Sequence, residues 1–229
     1  MGGRRTIRQL RGAMAALFAA VAIGLVSCAG ASEPASTPTP AAAAVNAPTQ
    51  AVEKAVPPMK SEDFWEIIER SRSDSKGDVE QQAMALEEIL SKLSFEQIAA
   101  FHDEFARKSQ QLYTWDLWGA AYVLHGGCSD DCFEYLRSWA VAQGQDYFEA
   151  VADDPLVLGD ALLASVGDSD SGEWMQYAAA DAYALASDGR SLDKDYPHIL
   201  STIAMDEPQG EPWDEEDLDQ RFPDLEPLN

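Results

Sequence analysis

Apolar residues recur every three or four positions along most of the chain after residue 58, and this spacing places them on one face of a helix. The pattern predicts helices that start at residues 61 and 94, helices at 79–93, 114–125, 130–143, 173–186 and 215–221, and shorter helical segments around 145–153 and 156–166. No alternating pattern of the kind that forms a half-buried strand stands out. We therefore predict an all-α fold, with one compact domain of about seven to eight helices around a central helix pair.

The central pair is predicted for the segment 113–144. Its first half is apolar on every side apart from Asp116, and a helix of that kind belongs inside a fold. Gly126 and Gly127 can end this helix, because glycine adopts positive φ angles without a steric penalty. Ser129 is placed to cap the second helix, whose apolar positions should pack back on the first.

Capping residues also mark the starts of two earlier helices. Ser61 precedes the first apolar stripe and is expected to cap it. Ser94, with Gln97 three residues later, has the pattern of a capping box, in which each side chain bonds to the backbone N–H of the other residue.

The first 27 residues are typical of a bacterial lipoprotein signal peptide. Four arginines and no acidic residue precede an unbroken apolar run at 13–26, which is too short to span a bilayer comfortably. The run ends in Leu25-Val26-Ser27-Cys28, which resembles a lipobox, the site whose cysteine receives diacylglycerol. We predict that Cys28 is lipidated and that the chain is exported and anchored to the bacterial cell envelope. The alternative is an ordinary secretory signal in which Cys28 is incidental.

Residues 28–58 are dominated by Ala, Pro, Ser and Thr and lack aromatic residues. Such a segment cannot bury enough surface to offset its conformational entropy, so we predict a disordered linker. The remaining residues, 59–229, are expected to form one acidic domain. A domain of about 170 residues can bury roughly 70% of its unfolded surface.

The charge of the chain restricts its partners. Residues 1–27 hold four of the 16 basic residues and none of the 40 acidic ones, which leaves 12 basic against 40 acidic residues and a formal charge of −28 after cleavage. Binding to nucleic acid needs a basic face, so this balance excludes that class. Repulsion from anionic lipid suits a domain held away from the bilayer by a linker, with the lipid anchor as the membrane contact.

Candidate chemistry lies at the turn between the two central helices. This candidate ligand corner consists of Trp115, Asp116, His125, Cys128, Asp130 and Asp131. Adjacent aspartates at a helix start are better explained by the helix dipole than by acid–base catalysis, which needs two carboxylates in different environments. The aromatic residues are expected to be core, although an open cleft here would suit a small cationic or sugar ligand. The pattern leaves the catalytic residues, if there are any, unknown, and we predict no cofactor.

The cysteines of the corner allow three interpretations. His125, Cys128 and Cys132 have the residue types of a zinc site with an open position, but no fourth ligand is evident and no metal site is predicted. Cys128 and Cys132 are four residues apart, close enough for a disulfide, and an exported chain with Cys28 lipidated has this one pair of thiols left. The third interpretation is that both are small buried apolar residues.

Several strings of residues carry a resemblance to a known family. They are DFWEII at 63–68, YTWDLWGAAY at 113–122, HGGCSDD at 125–131, FEYLRSW at 133–139, AQG at 142–144, GEPWDEEDL at 210–218 and RFP at 221–223. Together they are similar to the domain-of-unknown-function 4240 family over most of residues 60–225. The resemblance implies a compact, mostly helical bacterial domain and assigns no activity or catalytic residue. The lipobox, the linker and Cys132, where glycine is usual, depart from the family pattern.

Three functions follow from these observations. The favoured one is a binding or interaction module at the cell envelope, whose protein or small-molecule partner the sequence does not identify. The second is an enzyme that uses the His125–Asp131 corner, with or without the assistance of a metal ion. The third is an acidic inhibitor or immunity-type protein, steered onto a basic partner by its charge. The heaviest acidic run, from Asp206 to Glu226, would be the partner-mimicking segment in that case.

Overall fold

The computed structural model describes residues 55–159, 171–201 and 207–228. The predicted signal peptide, Cys28, almost all of the predicted linker, most of the predicted segment 156–166 and Asp206 lie outside these residues. The predicted domain start at residue 59 stays a prediction.

The described residues are mostly helical, and no strand is present among them. The elements in chain order are α1 (Ser61–Ser75), α2 (Val79–Leu90), α3 (Phe95–Gln111), α4 (Trp115–His125), α5 (Asp130–Ala142), α6 (Gln145–Asp153), α7 (Gly172–Ala186), α8 (Leu192–Asp195), a 3₁₀ turn (Glu215–Asp217) and α9 (Leu218–Arg221). The prediction of an all-α fold is confirmed. None of the helices described here is long and apolar enough to cross a bilayer.

Two of the three predicted capping residues cap the helices expected of them. The predicted capping box of Ser94 and Gln97 is present in full at the start of α3. Ser129 caps α5 by accepting a hydrogen bond of 3.3 Å from the backbone N–H of Cys132. The prediction that Ser61 caps α1 is wrong: Lys60 is the capping residue, because its carbonyl oxygen accepts the first helical hydrogen bond, from the N–H of Phe64.

The centre of the fold is built on α7, which packs against α2, α3 and α5. α1 packs on α2, and α6 packs on α5. At the crossing of α5 and α7 the backbones approach so closely that a Cβ on Gly172 would lie 1.9 Å from the carbonyl oxygen of Tyr135. Glycine is therefore required at this position. α5 has the central place expected for it, but its contact with α4 is smaller than its contact with α7.

The core lies between α1, α2, α3, α5 and α7. Its fully buried members include Phe64, Ile68, Leu86, Leu90, Ile98, Phe101, Phe133, Leu136, Trp139 and Tyr183. A buried hydrogen bond of 2.9 Å from the side-chain amide of Gln82 to the carbonyl of Ala142 joins α2 to the end of α5. A buried polar bond of this kind fixes the relative position of two helices, because breaking it leaves an unsatisfied group in the core.

Candidate functional site

Aromatic residues in and beside the predicted corner form a packed stack. The ring of Trp118 lies between the rings of Trp115 and Phe133, with centroids 5.6 Å and 5.2 Å away. Its indole N–H donates a hydrogen bond of 3.0 Å to the carbonyl oxygen of Cys128. Trp118 is half-buried, so the expectation that it sits fully inside the fold holds only in part.

Residues 207–228, here called the C-terminal segment, cover the outer side of α4. A parallel β-bridge pairs Thr114 with Gln209, and the indole N–H of Trp213 donates a hydrogen bond of 2.8 Å to the carbonyl oxygen of Trp115. Three side chains of the segment converge on Gly119, where an added Cβ would lie 2.7 Å from Phe222 and 3.1 Å from both Leu218 and Trp213. The space that a ligand cleft beside α4 would need is thus occupied by the chain itself.

The carboxylates of the predicted corner stabilise the fold: one forms an ion pair and two lie at the start of a helix. Asp116 accepts hydrogen bonds of 2.8 Å and 2.5 Å from Nε and Nη2 of Arg221, which joins α4 to the C-terminal segment. Asp130 and Asp131 are exposed in the first turn of α5, where the positive end of the helix dipole stabilises negative charge. The structure therefore brings Asp116 to Arg221 rather than to the other two aspartates.

Cys128 and Cys132 are joined by a disulfide, with their α carbons 5.3 Å apart. The structure thus contains the disulfide, rather than a zinc site or two separate buried thiols. Zinc binds cysteine as the free thiolate, so the bond removes two of the three ligands considered with His125. No group of three or more His, Cys, Asp or Glu side chains placed to hold a metal ion occurs in the part of the chain that the structure describes.

Arg137, which sequence reasoning missed, is a buried cation beneath the corner. It is 1% exposed and donates a hydrogen bond of 3.0 Å from Nη1 to the carbonyl oxygen of Ser109. Its guanidinium carbon lies 4.6 Å from the ring centroid of Tyr113 and 5.2 Å from that of Phe133, a cation–π arrangement. Burial lowers the pKa of Arg137 to about 10, so the group stays charged at neutral pH.

The sequence contained a signal for this residue. Arg137 follows Phe133 by four positions and therefore lies on the buried face of α5. Within the described residues no carboxylate lies within ion-pair distance of it, and its Nε atom is buried without a hydrogen-bond partner. The hydrogen bond to Ser109, the two aromatic rings and the nearby charge of Glu134 together offset part of the cost of burying this charge.

A second location is an open cleft between α1 and the start of α6. It encloses about 460 Å³ and is lined by Trp65, Glu66, Glu69, Arg72, Gln143, Gln145, Asp146 and Tyr147. The carboxylate of Glu69 lies against Gly144, where an added Cβ would be 2.2 Å away, and it is 3.5 Å from Arg72. The size suits a small polar molecule, and the lining mixes both signs of charge with amides.

A third location is the solvent-facing side of α7. Sequence periodicity places the apolar residues of α7 in one stripe, but in the structure some of them are buried and others are exposed to solvent. Ala178 and Ala182 are buried, whereas Trp174, Tyr177 and Leu185 are 47%, 50% and 63% exposed. The aromatic side of this helix therefore faces solvent rather than the core.

Carboxylates border this exposed side of α7. Burial, and then the nearby charge of Asp181, raises the pKa of Glu87 on the adjoining helix α2. Met84 lies one turn before Glu87 on α2 and is 55% exposed. The surface thus combines large apolar side chains with two carboxylates, on two helices that pack against each other.

The fold and these locations define an acidic helical domain with no recognisable catalytic constellation in its described part. A family model described as "protein of unknown function (DUF4240)" matches residues 59–185, more than half of the chain, and the chain belongs to that family. Searches of curated proteins and of solved structures found no match. The strings at 210–218 and 221–223, which also resemble the family, lie outside the matched residues.

Proposed function

We propose that this chain is an exported bacterial lipoprotein, anchored through Cys28, whose helical domain acts by binding a partner at the cell envelope. The linker would hold the domain at a distance from the membrane surface. This proposal combines the lipobox of the sequence with the chemistry of the predicted corner.

The Cys128–Cys132 disulfide is the observation that carries the proposal. Disulfides persist in oxidising compartments and are rare in the cytosol, so the bond supports export. It also accounts for two of the chain's three cysteines. The remaining cysteine, Cys28, stands at the end of the apolar run, where a lipobox needs it.

Two features support binding rather than catalysis. The predicted corner is filled by the stack of Trp115, Trp118 and Phe133 and by the C-terminal segment. By contrast, Trp174 and Tyr177 are presented to solvent on one helix. Exposed apolar patches with polar borders are typical of interaction sites.

The C-terminal segment bears on the inhibitor alternative. Its carboxylates at Asp214, Glu215 and Glu216 are exposed, while Leu218 and Phe222 pack against α4. The acidic side chains therefore belong to a segment that is held by the domain. This arrangement favours a structural role for its apolar residues over that of a free partner-mimicking tail.

Metabolic labelling with an alkyne fatty acid, followed by membrane fractionation, tests the anchor. We expect the wild-type chain to be labelled and to sediment with membranes. The Cys28→Ala variant should be unlabelled and should appear either in the soluble fraction or as an unprocessed precursor.

A Cys28→Ala variant that is processed to the same size and stays with membranes would contradict the anchor. The compartment is tested separately by alkylating thiols in intact cells. We expect Cys128 and Cys132 to react only after reduction, and alkylation of both without reductant would contradict export to an oxidising compartment.

A further inference from the structure

We propose that the exposed side of α7 is a docking surface for a basic amphipathic segment of a partner protein. The surface, here called the α7 face, consists of Trp174, Tyr177, Asp181 and Leu185 of α7 with Met84 and Glu87 of α2. This inference rests on the binding role proposed above and names its surface and the chemistry of its partner. It does not depend on the lipid anchor.

The positions on α7 form one continuous stripe. Residues 174, 177, 181 and 185 are separated by three, four and four positions, the spacing that aligns side chains along one side of a helix. Residues 174 and 185 are eleven positions apart, or about 16 Å along the helix axis, so the stripe offers about three turns of contact. This length matches the apolar side of a short amphipathic helix.

The apolar content of the α7 face is unusual for a solvent-facing surface of this chain. Five large apolar residues are exposed in the part of the chain that the structure describes, and four of them belong to the α7 face. Trp65 and Trp139 are 4% and 1% exposed, whereas Trp174 is 47% exposed. Tryptophan and tyrosine supply most of the binding energy at many protein interfaces, because they bury large areas with few rotatable bonds.

The charge of the α7 face identifies the partner's chemistry. Glu87 and Asp181 lie on helices α2 and α7, which pack against each other. Partial burial and then the charge of Asp181 raise the pKa of Glu87. Neither α2 nor α7 contains a lysine or an arginine, and no ion pair to either carboxylate occurs among the described residues. A lysine or arginine of a partner would relieve the repulsion between them.

The same charges disfavour two other occupants. A second copy of this chain would bring its own Glu87 and Asp181 to the contact, and like charges at an interface are unfavourable. An anionic lipid surface would repel these carboxylates as well. A segment that alternates apolar and basic residues satisfies both the tryptophan and the carboxylates.

The proposal can be tested with three synthetic helical peptides of about 18 residues, or about five turns. One combines leucine with lysine, one leucine with glutamate, and one lysine with glutamine. Each is titrated by fluorescence anisotropy against the full chain with phosphatidylcholine nanodiscs present, and nanodiscs without protein measure binding to lipid. We expect only the leucine–lysine peptide to bind the protein, and we expect its affinity to fall as salt is added.

Matched variants then locate the site. Trp174→Ser should weaken binding by about tenfold or more, and Asp181→Asn by about threefold. Both variants should keep a melting temperature within about 2 °C of wild type. Leu156→Ser removes the one exposed large apolar side chain outside the α7 face in the described part, and Glu216→Gln removes an exposed carboxylate of the C-terminal segment. Both control variants should bind within about twofold of wild type.

Several results would overturn the proposal. If the leucine–lysine peptide binds all four variants equally well, the attraction is a diffuse one to the acidic surface. The same follows if the lysine–glutamine peptide binds as tightly as the leucine–lysine peptide. Absence of binding by the leucine–lysine peptide also counts against it. If the wild-type chain self-associates and Trp174→Ser makes it monomeric, the occupant is a second copy.

In-cell photo-crosslinking separates this inference from the proposed function. A photoreactive residue is placed at Ala184 on α7 or at Gln145 beside the α1–α6 cleft. Crosslinks to a protein with a basic amphipathic segment at Ala184 support the α7 face. Crosslinks at Gln145 alone would keep the binding function and remove the α7 face, while an absence of crosslinks at both positions and across other surface sites would contradict the binding function itself.

Discussion

Helices α4 and α7 have similar patterns of residues and opposite surroundings. α4 places Trp115, Trp118 and Tyr122 along one side, and α7 places Trp174, Tyr177 and Leu185 along one side. The C-terminal segment packs Trp213, Leu218 and Phe222 against α4. No described element covers the corresponding residues of α7, which remain about half exposed.

This comparison shows what periodicity leaves undetermined. A stripe of apolar residues indicates that a helix has an apolar side, but it does not say which segment covers that side. For α4 the covering residues lie about a hundred positions later in the sequence. The buried side of α7 comprises Gly172, Met175, Gln176, Ala178, Ala179, Ala182 and Tyr183. Gly172 is the member that permits the close approach of α5.

Truncation of the two tryptophans gives the largest expected difference between the helices. Trp118→Ala removes a ring stacked on two others and a hydrogen bond to Cys128, so we expect a loss of about 3–5 kcal/mol in the free energy of unfolding. Trp174→Ala should change this free energy by no more than about 0.5 kcal/mol. Urea titration of both variants measures the two free energies of unfolding. Losses of equal size would contradict the difference between α4 and α7.

Removal of the disulfide should have the next largest effect. A bridge that closes a loop of about five residues restricts the unfolded chain by about 2 kcal/mol in the loop-entropy treatment. We expect reductant to lower the melting temperature of the wild-type chain. The Cys128→Ala/Cys132→Ala variant is the control: its melting temperature should start lower and should not respond to reductant. A wild-type chain that is indifferent to reductant would show that the bridge does not stabilise the corner.

Substitution of Arg137 tests whether this side chain stabilises the domain through its volume or through its charge. Arg137→Met keeps most of the side-chain volume and removes a buried charge, so its stability should stay within about 1 kcal/mol of wild type. Arg137→Ala leaves a cavity beside Tyr113 and Phe133 and should cost about 2–4 kcal/mol. If methionine is as damaging as alanine, the guanidinium has a specific role that packing does not supply.

Glu87 gives the smallest expected effect, and it depends on pH. Its pKa is raised in the folded state, so the stability it contributes is greatest in acid and is lost as the pH rises through the folded pKa. Glu87→Gln should therefore stabilise the domain at neutral pH by a few tenths of a kcal/mol, and the gain should vanish below about pH 4. Thermal unfolding as a function of pH measures this, with Glu216→Gln as the exposed control. A gain that is the same at every pH would exclude the charge as its cause.

The sequence predicts helices better than it predicts their contacts. The stripes of apolar residues and the pairing of Ser94 with Gln97 depend on neighbours within one helical turn, and the structure confirms the helices they predict. The role of Lys60 at the start of α1 differs by one residue from expectation, because both Lys60 and Ser61 precede the same apolar stripe.

The candidate site was harder to predict, because its members meet through distant contacts. The predicted corner contains Asp116 beside Asp130 and Asp131 only if the second helix doubles back on the first, whereas the structure pairs Asp116 with Arg221. Arg137 was overlooked because arginine is rarely buried, although its position four residues after Phe133 placed it on the inner side of α5. To predict that one side of α7 is exposed, one would have to know that no other described segment packs against it.

Hydroxyl-radical footprinting with mass spectrometry tests the central claim most directly, since it reports the solvent exposure of each tryptophan in the folded full chain. The claim is that the aromatic side of α4 is covered and that of α7 is open. We predict that Trp174 is oxidised fastest of the six tryptophans, that Trp118 is several-fold slower, and that unfolding in urea removes the difference. Oxidation of Trp118 as fast as that of Trp174 in the folded chain would contradict the account.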